Sequence, residues 1–219
     1  QEKLEEKFGA ENALAFWQIA EDAKKEVRNR ISKHKINCDY VSGVVQAAVN
    51  RQDLRDSFYQ VDELRKKYNY KALQKLNAQE VSELLNTNFY KGGYLDLGAG
   101  HLNPLKFIMG LATAAKNLGM KIFERTKVSK IEYGPKNKLT TETGLCVQSD
   151  YLLLACNGYL GNLEPEIASR VMPINNFILA TEPLKKGLLD SFMNNNYAVA
   201  DSKFVVNYFR PSPDRRLIF

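Results

Sequence analysis

Tyr151-Leu-Leu-Leu-Ala-Cys-Asn-Gly-Tyr-Leu-Gly161 is an apolar run that ends abruptly in a small, polar, turn-forming cluster. A run such as Tyr151 to Ala155 reads as a strand covered on both faces. In open α/β sheets the crevice beyond the carboxyl end of such a strand holds nucleotides, so a candidate site falls at Cys156 to Gly161. Just upstream, Lys127 to Tyr133 alternates, and Lys138 to Val147 supplies two short strands around Glu142-Thr-Gly144. Lys121 to Gly161 therefore reads as a β-rich insertion feeding back into a sheet, an order that suggests a flavin or nicotinamide protein.

Further out, Ala13, Trp17, Ala20, Val27 and Ile31 recur at helical spacing and predict an amphipathic helix over Ala10 to His34. Two short strands, Cys38 to Tyr40 and Gly43 to Val49, are expected next. A helix follows over Arg51 to Tyr68, with Leu54, Phe58, Val61, Leu64 and Tyr68 on one face. Asn77 and Glu80 form a capping-box pattern for a short third helix. Phe89 to Leu97 reads as a strand interrupted at Gly92-Gly93 and running into a glycine-rich loop, Gly98 to His101. Asn103 then caps and Pro104 opens a helix with Leu105, Ile108, Leu111, Ala112, Ala115 and Leu118 inward, closed by Gly119. Beyond Gly161 come a strand over Val171 to Thr181, a helix near Leu184 to Met193, and paired strands Ala198 to Ala200 and Phe204 to Phe209. The fold class is α/β, of mixed α+β character. The expected division is residues 1–97 and 170–219 as parts of a mixed-sheet substrate domain, interleaved with 98–169 as a partial cofactor domain.

Composition excludes several classes. The 31 Lys and Arg outnumber the 25 Asp and Glu, but the excess is dispersed among acids, so solvated helix faces explain it better than a nucleic-acid surface. Cys38, Cys146 and Cys156 are widely spaced and odd in number, which argues against a disulfide framework or a zinc site and for a reducing, cytoplasmic setting. The apolar runs fall far short of the ~20 residues a membrane span requires. Asp201 and Asp214 read as solvated loop carboxylates rather than metal ligands, and Cys156 as a small buried apolar group rather than a nucleophile. His34 closes a helix, where it complements the dipole.

Five segments, taken in order, resemble one family: Gly98-Ala-Gly-His-Leu-Asn-Pro-Leu-Lys106, Leu152 to Gly161, Arg170-Val-Met-Pro-Ile174, Ile178-Leu-Ala-Thr-Glu-Pro-Leu184, and Phe204-Val-Val-Asn-Tyr-Phe-Arg210. The family is the FAD-dependent oxidoreductases of the D-amino acid oxidase, glycine oxidase and sarcosine oxidase type, and within it the segments most resemble the gamma-glutamylputrescine oxidoreductase branch. Members open with a G-x-G-x-x-G unit and close with a glycine-rich flavin segment. This chain carries neither, so the resemblance implies an internal fragment whose own hold on FAD is weak or absent. It implies an enzyme acting on CH-NH donors, moving a hydride from the carbon beside a small-molecule amine or amino acid to FAD, with an imine and, with oxygen, hydrogen peroxide as products. Val128, Ala155, Cys156, Asn157 and Tyr159 match cofactor-facing positions, Asn157 replacing a customary glycine. His101 falls in the loop on the substrate side of the flavin, a candidate catalytic position. Tyr208 and Arg210 share a strand face that helps wall the substrate cavity, where Arg could bind a carboxylate. The alternative is a non-enzymatic ligand- or partner-binding module derived from the substrate domain.

Overall fold

The computed structural model describes residues 1–193 and 195–219. In chain order the elements are α1 (Glu2–Phe8), α2 (Ala10–Lys33), β1 (Val41–Ala48), α3 (Arg51–Tyr68), β2 (Leu73–Asn77), α4 (Ala78–Leu85), β3 (Gly92–His101) and α5 (Pro104–Asn117). They continue with β4 (Val128–Glu132), β5 (Asn137–Thr141), β6 (Cys146–Ser149), α6 (Pro165–Ala168), α7 (Lys186–Phe192), β7 (Ala198–Asp201), β8 (Tyr208–Pro211) and β9 (Leu217–Ile218). The class is mixed α/β. The chain divides into two compact units, Gln1–Leu118 with Ile178–Phe219, and Gly119–Phe177. The points of exit and return fall inside the segments 98–169 and 170–219 set out above.

The first unit is built on a six-stranded sheet of order β2-β3-β1-β7-β8-β9. β1 and β7 run parallel and the other pairs antiparallel. Both faces of the sheet are covered. Val45, Ala47, Leu76, Leu95 and Val199 point to one side, where Val81 and Leu85 of α4 close over them. Leu73 and Tyr94 point to the other, against Val61 and Leu64 of α3 and the ring of Trp17. Val45, Val61, Leu73, Val81 and Val199 are fully buried, each worth about 1.5–3 kcal/mol of transfer free energy. Two helix starts follow the caps read from sequence, at Asn77 and Asn103, and a third cap, Asn50, is not among those read there. Asn50 accepts from Asp53 N, Asn77 and Glu80 complete a capping box, and Asn103 accepts from Lys106 N ahead of Pro104.

The glycines of β3 correct the expectation of an interrupted strand and a loop. The strand spans Gly92 through His101 with a bulge at Leu97 to Ala99, opposite Gly43, and its glycines are required because other groups occupy the space their Cβ atoms would need. A Cβ on Gly93 would lie 1.9 Å from Gln46 O, one on Gly98 2.1 Å from the Tyr70 hydroxyl, and one on Gly100 2.7 Å from that of Tyr40. The two strands expected between Cys38 and Val49 are one, β1, irregular in register between Ser42 and Val44. On α5, Leu105, Ile108 and Leu118 are exposed rather than inward.

The second unit carries a three-stranded meander, β4-β5-β6, whose hairpin from β5 to β6 turns at Gly144 (φ 82°). The deciding stretch differs from its sequence reading. Tyr151 to Ala155 pairs with no strand among the described residues, and Tyr151 and Leu153 are 92% and 87% exposed. A strand needs a neighbour to satisfy its backbone groups. The meander ends at β6 without a partner for this segment, so its apolar side chains stand half uncovered. Val171 to Thr181 likewise forms no full strand, and its end meets β9 through Leu179 with Phe219 and Ala180 with Ile218. Among the described residues no helix is long and apolar enough to cross a membrane.

Candidate functional site

In the first unit the site is set by the bend at the end of β3. Asp96 Oδ1 accepts from the Tyr70 hydroxyl at 2.6 Å and from the N–H groups of Gly98 and Ala99 at 2.9 and 3.2 Å. Burial and the Asp96 carboxylate push the Tyr70 phenol well above its usual range, so it stays a donor. Ser42 Oγ donates to Leu97 O at 2.6 Å. These bonds hold the strand that ends in His101, opposite Val41.

His101 Nε2 lies 2.6 Å from Asn196 O. A carbonyl can only accept, so Nε2 carries the hydrogen and Nδ1 is the bare acceptor. That Nδ1 is buried and has no partner among the described residues. Burial chiefly, then the nearby Arg210 charge, lowers the His101 pKa below its ordinary value, and the bond to Asn196 O opposes the shift. The imidazole is therefore neutral at pH 7. Because the unfolded chain takes up this proton first, the stability His101 contributes is complete above about pH 6.5 and is lost as the pH falls through and below that value. His101→Gln is expected to flatten the fall of stability on that acid side, read from denaturant midpoints across the pH range. An unchanged slope would show that His101 takes up its proton alike in the folded and unfolded states.

Beside it is a cleft of about 450 Å³ whose walls include Leu102, Pro104, Val199, Tyr208, Arg210 and Phe219. Tyr208 and Arg210 reach the same cleft because they alternate on β8. Arg210 Nη2 donates to Leu102 O at 3.3 Å, and the half-buried guanidinium has no carboxylate partner among the described residues.

In the second unit a cleft of about 620 Å³ gathers Val128, Leu152, Leu154, Cys156, Tyr159 and Leu160. Val128 lies on β4, the edge strand of the meander, which leaves backbone groups unpaired on its outer side. Leu152, Leu153 and Leu154 all border the cleft, Leu152 and Leu154 half-buried and Leu153 exposed at its rim. Beyond them the chain makes a single 3₁₀ turn, Asn157–Tyr159. Asn157 takes φ 48°, the left-handed conformation Asn tolerates better than most residues. Ala155 and Asn157 are exposed beside this cleft and do not line it. Cys156 is half-buried, and all three cysteines are free thiols.

Sequence reasoning missed Asp96 and misjudged Asp201. Asp201, expected to be solvated, is 3% exposed and accepts from Lys203 N, Asn207 N and Asn207 Nδ2 at 3.2, 3.0 and 2.8 Å. The available signal was an Asp ahead of a tight turn, where its side chain captures main-chain N–H groups. Among the described residues no group of His, Cys, Asp and Glu is arranged to hold a metal.

Solved structures share the fold. The fold matches a glycine oxidase from Bacillus cereus ATCC 14579 with a TM-score of 0.70 at 17% identity, over 95% of this chain and 55% of that one. It matches an L-proline dehydrogenase from P.horikoshii with a TM-score of 0.68 at 16% identity, over 89% of this chain and 53% of that one. Residues 4–219 match the family described as FAD dependent oxidoreductase, and the chain belongs to that family. It is 36% identical over its full length to a probable oxidoreductase OrdL of Rhizobium meliloti (strain 1021), covering 50% of that protein. It is 30% identical over 99% of its length to gamma-glutamylputrescine oxidoreductase of Escherichia coli (strain K12), again covering 50%. The chain thus spans about half the length of the curated relatives it matches.

Proposed function

We propose that a protein carrying this chain is an FAD-dependent oxidoreductase acting on CH-NH donors, with a small amine or amino acid as substrate. The observation that carries the reading is the half-buried Arg210 guanidinium, which has no carboxylate partner among the described residues, on the wall of an otherwise apolar cleft. A carboxylate is the partner whose planar fork suits it. Tyr208 adds a ring and a hydroxyl to the same wall. His101 stands beside this cleft rather than in its lining, and with Nδ1 buried its neutral ring positions the cleft wall through Asn196 O instead of touching substrate.

The residues of the second unit fit a dinucleotide. Val128 sits where an edge strand can offer an N–H and a C=O to an adenine edge. Leu152, Leu154 and the Tyr159 ring supply apolar walls, and the turn Ala155-Cys156-Asn157 has no side chain at Gly158 to bar close approach. FAD, when bound, supplies the acceptor for a hydride from the carbon beside the amine, and oxygen then takes the electrons to give hydrogen peroxide while water releases the imine as carbonyl and amine. The chain's part is to orient that C–H bond and exclude water. No strong general base is needed, which fits the scarcity of acid and base groups in the cleft. The three free thiols support a reducing, cytoplasmic location.

The test is anaerobic bleaching of the flavin by a panel of polyamine-derived amines, small amino acids and N-methyl amino acids. Failure of every amine to bleach it would remove the reading. With a carboxylate-bearing substrate, Arg210→Met is expected to raise KM by roughly tenfold to a hundredfold, the loss of one charge-assisted pair. An unchanged KM would take Arg210 out of substrate binding.

A further inference from the structure

Asn157-Gly158 is the only Asn-Gly pair in the sequence, and it lies in the turn beside the cleft of the second unit. We propose that this pair is a self-modifying site, where deamidation of Asn157 places a carboxylate in the cofactor-facing turn and weakens the hold on FAD. The effect on FAD rests on the function proposed above; the modification does not.

The chemistry is internal to the chain. The Gly158 backbone nitrogen attacks Asn157 Cγ, the N–Cγ bond forms, and the Cγ–Nδ2 bond breaks. Ammonia leaves with the proton that was on the Gly158 nitrogen. Water then opens the five-membered imide at either carbonyl, giving an aspartate or an isoaspartate at position 157. No oxidant or reductant enters.

Three observations favour this position over the other asparagines. Among the described residues the Asn157 amide makes no hydrogen bond, whereas those of Asn12, Asn137 and Asn207 are each anchored. The Gly158 nitrogen is left out of the bonds that hold the turn, which run from Tyr159 N to Cys156 O at 3.0 Å and from Leu160 N to Asn157 O at 3.3 Å. Gly158 is exposed and has open space around it: the nearest heavy atom to a Cβ built there is Pro173 Cβ, at 4.0 Å. Asn69 and Asn86 share the left-handed backbone of Asn157 but precede Tyr70 and Thr87, whose side chains obstruct the attack.

The consequence is electrostatic. With FAD held in the cleft beside it, the turn would carry a negative charge near the cofactor's own phosphates in place of a neutral amide. The Gly158 backbone is not left-handed, so Gly158→Ala fits the turn while hindering ring closure.

The experiment ages the flavin-loaded protein carrying this chain at mildly alkaline pH and maps each asparagine by peptide mass spectrometry. Conversion at position 157 is expected first, and Gly158→Ala is expected to retain the amide. Conversion no faster than at Asn69 and Asn86, or unaffected by Gly158→Ala, would overturn the modification. In parallel, Asn157→Asp is compared with fresh wild type for FAD retention by equilibrium dialysis. Retention several-fold weaker is expected, and equal retention would overturn the charge effect. Fresh wild type that binds no FAD would overturn the cofactor reading and the charge effect with it, while the peptide map decides the modification separately.

Discussion

Gly93→Ala is expected to cost the first unit about 4 kcal/mol or more, enough to unfold a marginally stable sheet. A Cβ there would sit 1.9 Å from Gln46 O, 3.0 Å from Gln46 C and 3.1 Å from Ala47 Cα. All three are main-chain atoms of the neighbouring strand, so no side chain can swing aside to relieve the clash. Gly93 pairs with Ala47 on β1 and with Leu76 on β2. Relief therefore requires parting strands whose spacing is fixed at about 4.8 Å by their own ladder. Those strands carry Val45, Ala47, Leu76 and Leu95, so the same displacement opens the larger core. Gly187→Ala is the control within the same unit. Nothing lies within 4 Å of its Cβ position, and it lies on α7, where Ala stabilises by about 0.5–1 kcal/mol. Urea midpoints for the two variants should move in opposite directions. A Gly93→Ala midpoint equal to wild type would mean that β1 and β3 do not meet in this register.

Where local chemistry decides structure, the sequence was legible. The Asn77 and Glu80 box, the Asn103-Pro104 start of α5 and the hairpin around Gly144 are short-range patterns, with partners within a few residues. The apolar stripe of α3 was equally clear, because Val61 and Leu64 repeat at helical spacing. Contacts between distant segments were not legible. β2 escaped notice because Leu73-Gln-Lys-Leu-Asn77 is too polar to announce a strand, and it exists through its pairing with β3. The glycines of β3 looked like loop formers, since nothing local reveals that Tyr40, Tyr70 and Gln46 claim the space beside them. Tyr151 to Ala155 shows the converse: strong strand chemistry makes no strand where no neighbour completes the ladder. Of the candidate site residues, the structure collects Tyr208 with Arg210 in one cleft and Val128 with Cys156 and Tyr159 in another. The Asp96 contacts that hold the strand ending in His101 come from Tyr70 and from the turn itself, and only the turn half had a sequence signature.

Asp201→Ala is expected to have the second large effect, about 3 kcal/mol or more of stability together with loosening of the cleft wall. The carboxylate is buried at the end of β7 without a cationic partner among the described residues. Its desolvation is offset by three donors, Lys203 N, Asn207 N and Asn207 Nδ2. Truncation leaves the donors of half-buried Asn207 unpaired, at about 1–3 kcal/mol each, while the exposed Lys203 N–H turns to water. The main-chain pair between Asp201 N and Asn207 O, at 3.0 Å, and the Ser202 bonds to Ala47 O and Val49 N would then hold the start of the loop, with nothing from the carboxylate to fix its return. That loop presents Phe204 and Val205 to solvent, so no apolar burial at its tip would compensate. It leads directly into Tyr208, so β8 would lose the clamp that sets where Tyr208 and Arg210 meet the cleft. Hydrogen exchange should accelerate most at the Lys203 and Asn207 amides, and the midpoint of unfolding should fall. Asp201→Asn keeps one acceptor oxygen but turns a second donor toward the Asn207 amide, so it should fall between wild type and Asp201→Ala. Exchange at Asn207 as slow in Asp201→Ala as in wild type would show that the backbone, not the carboxylate, shapes this loop.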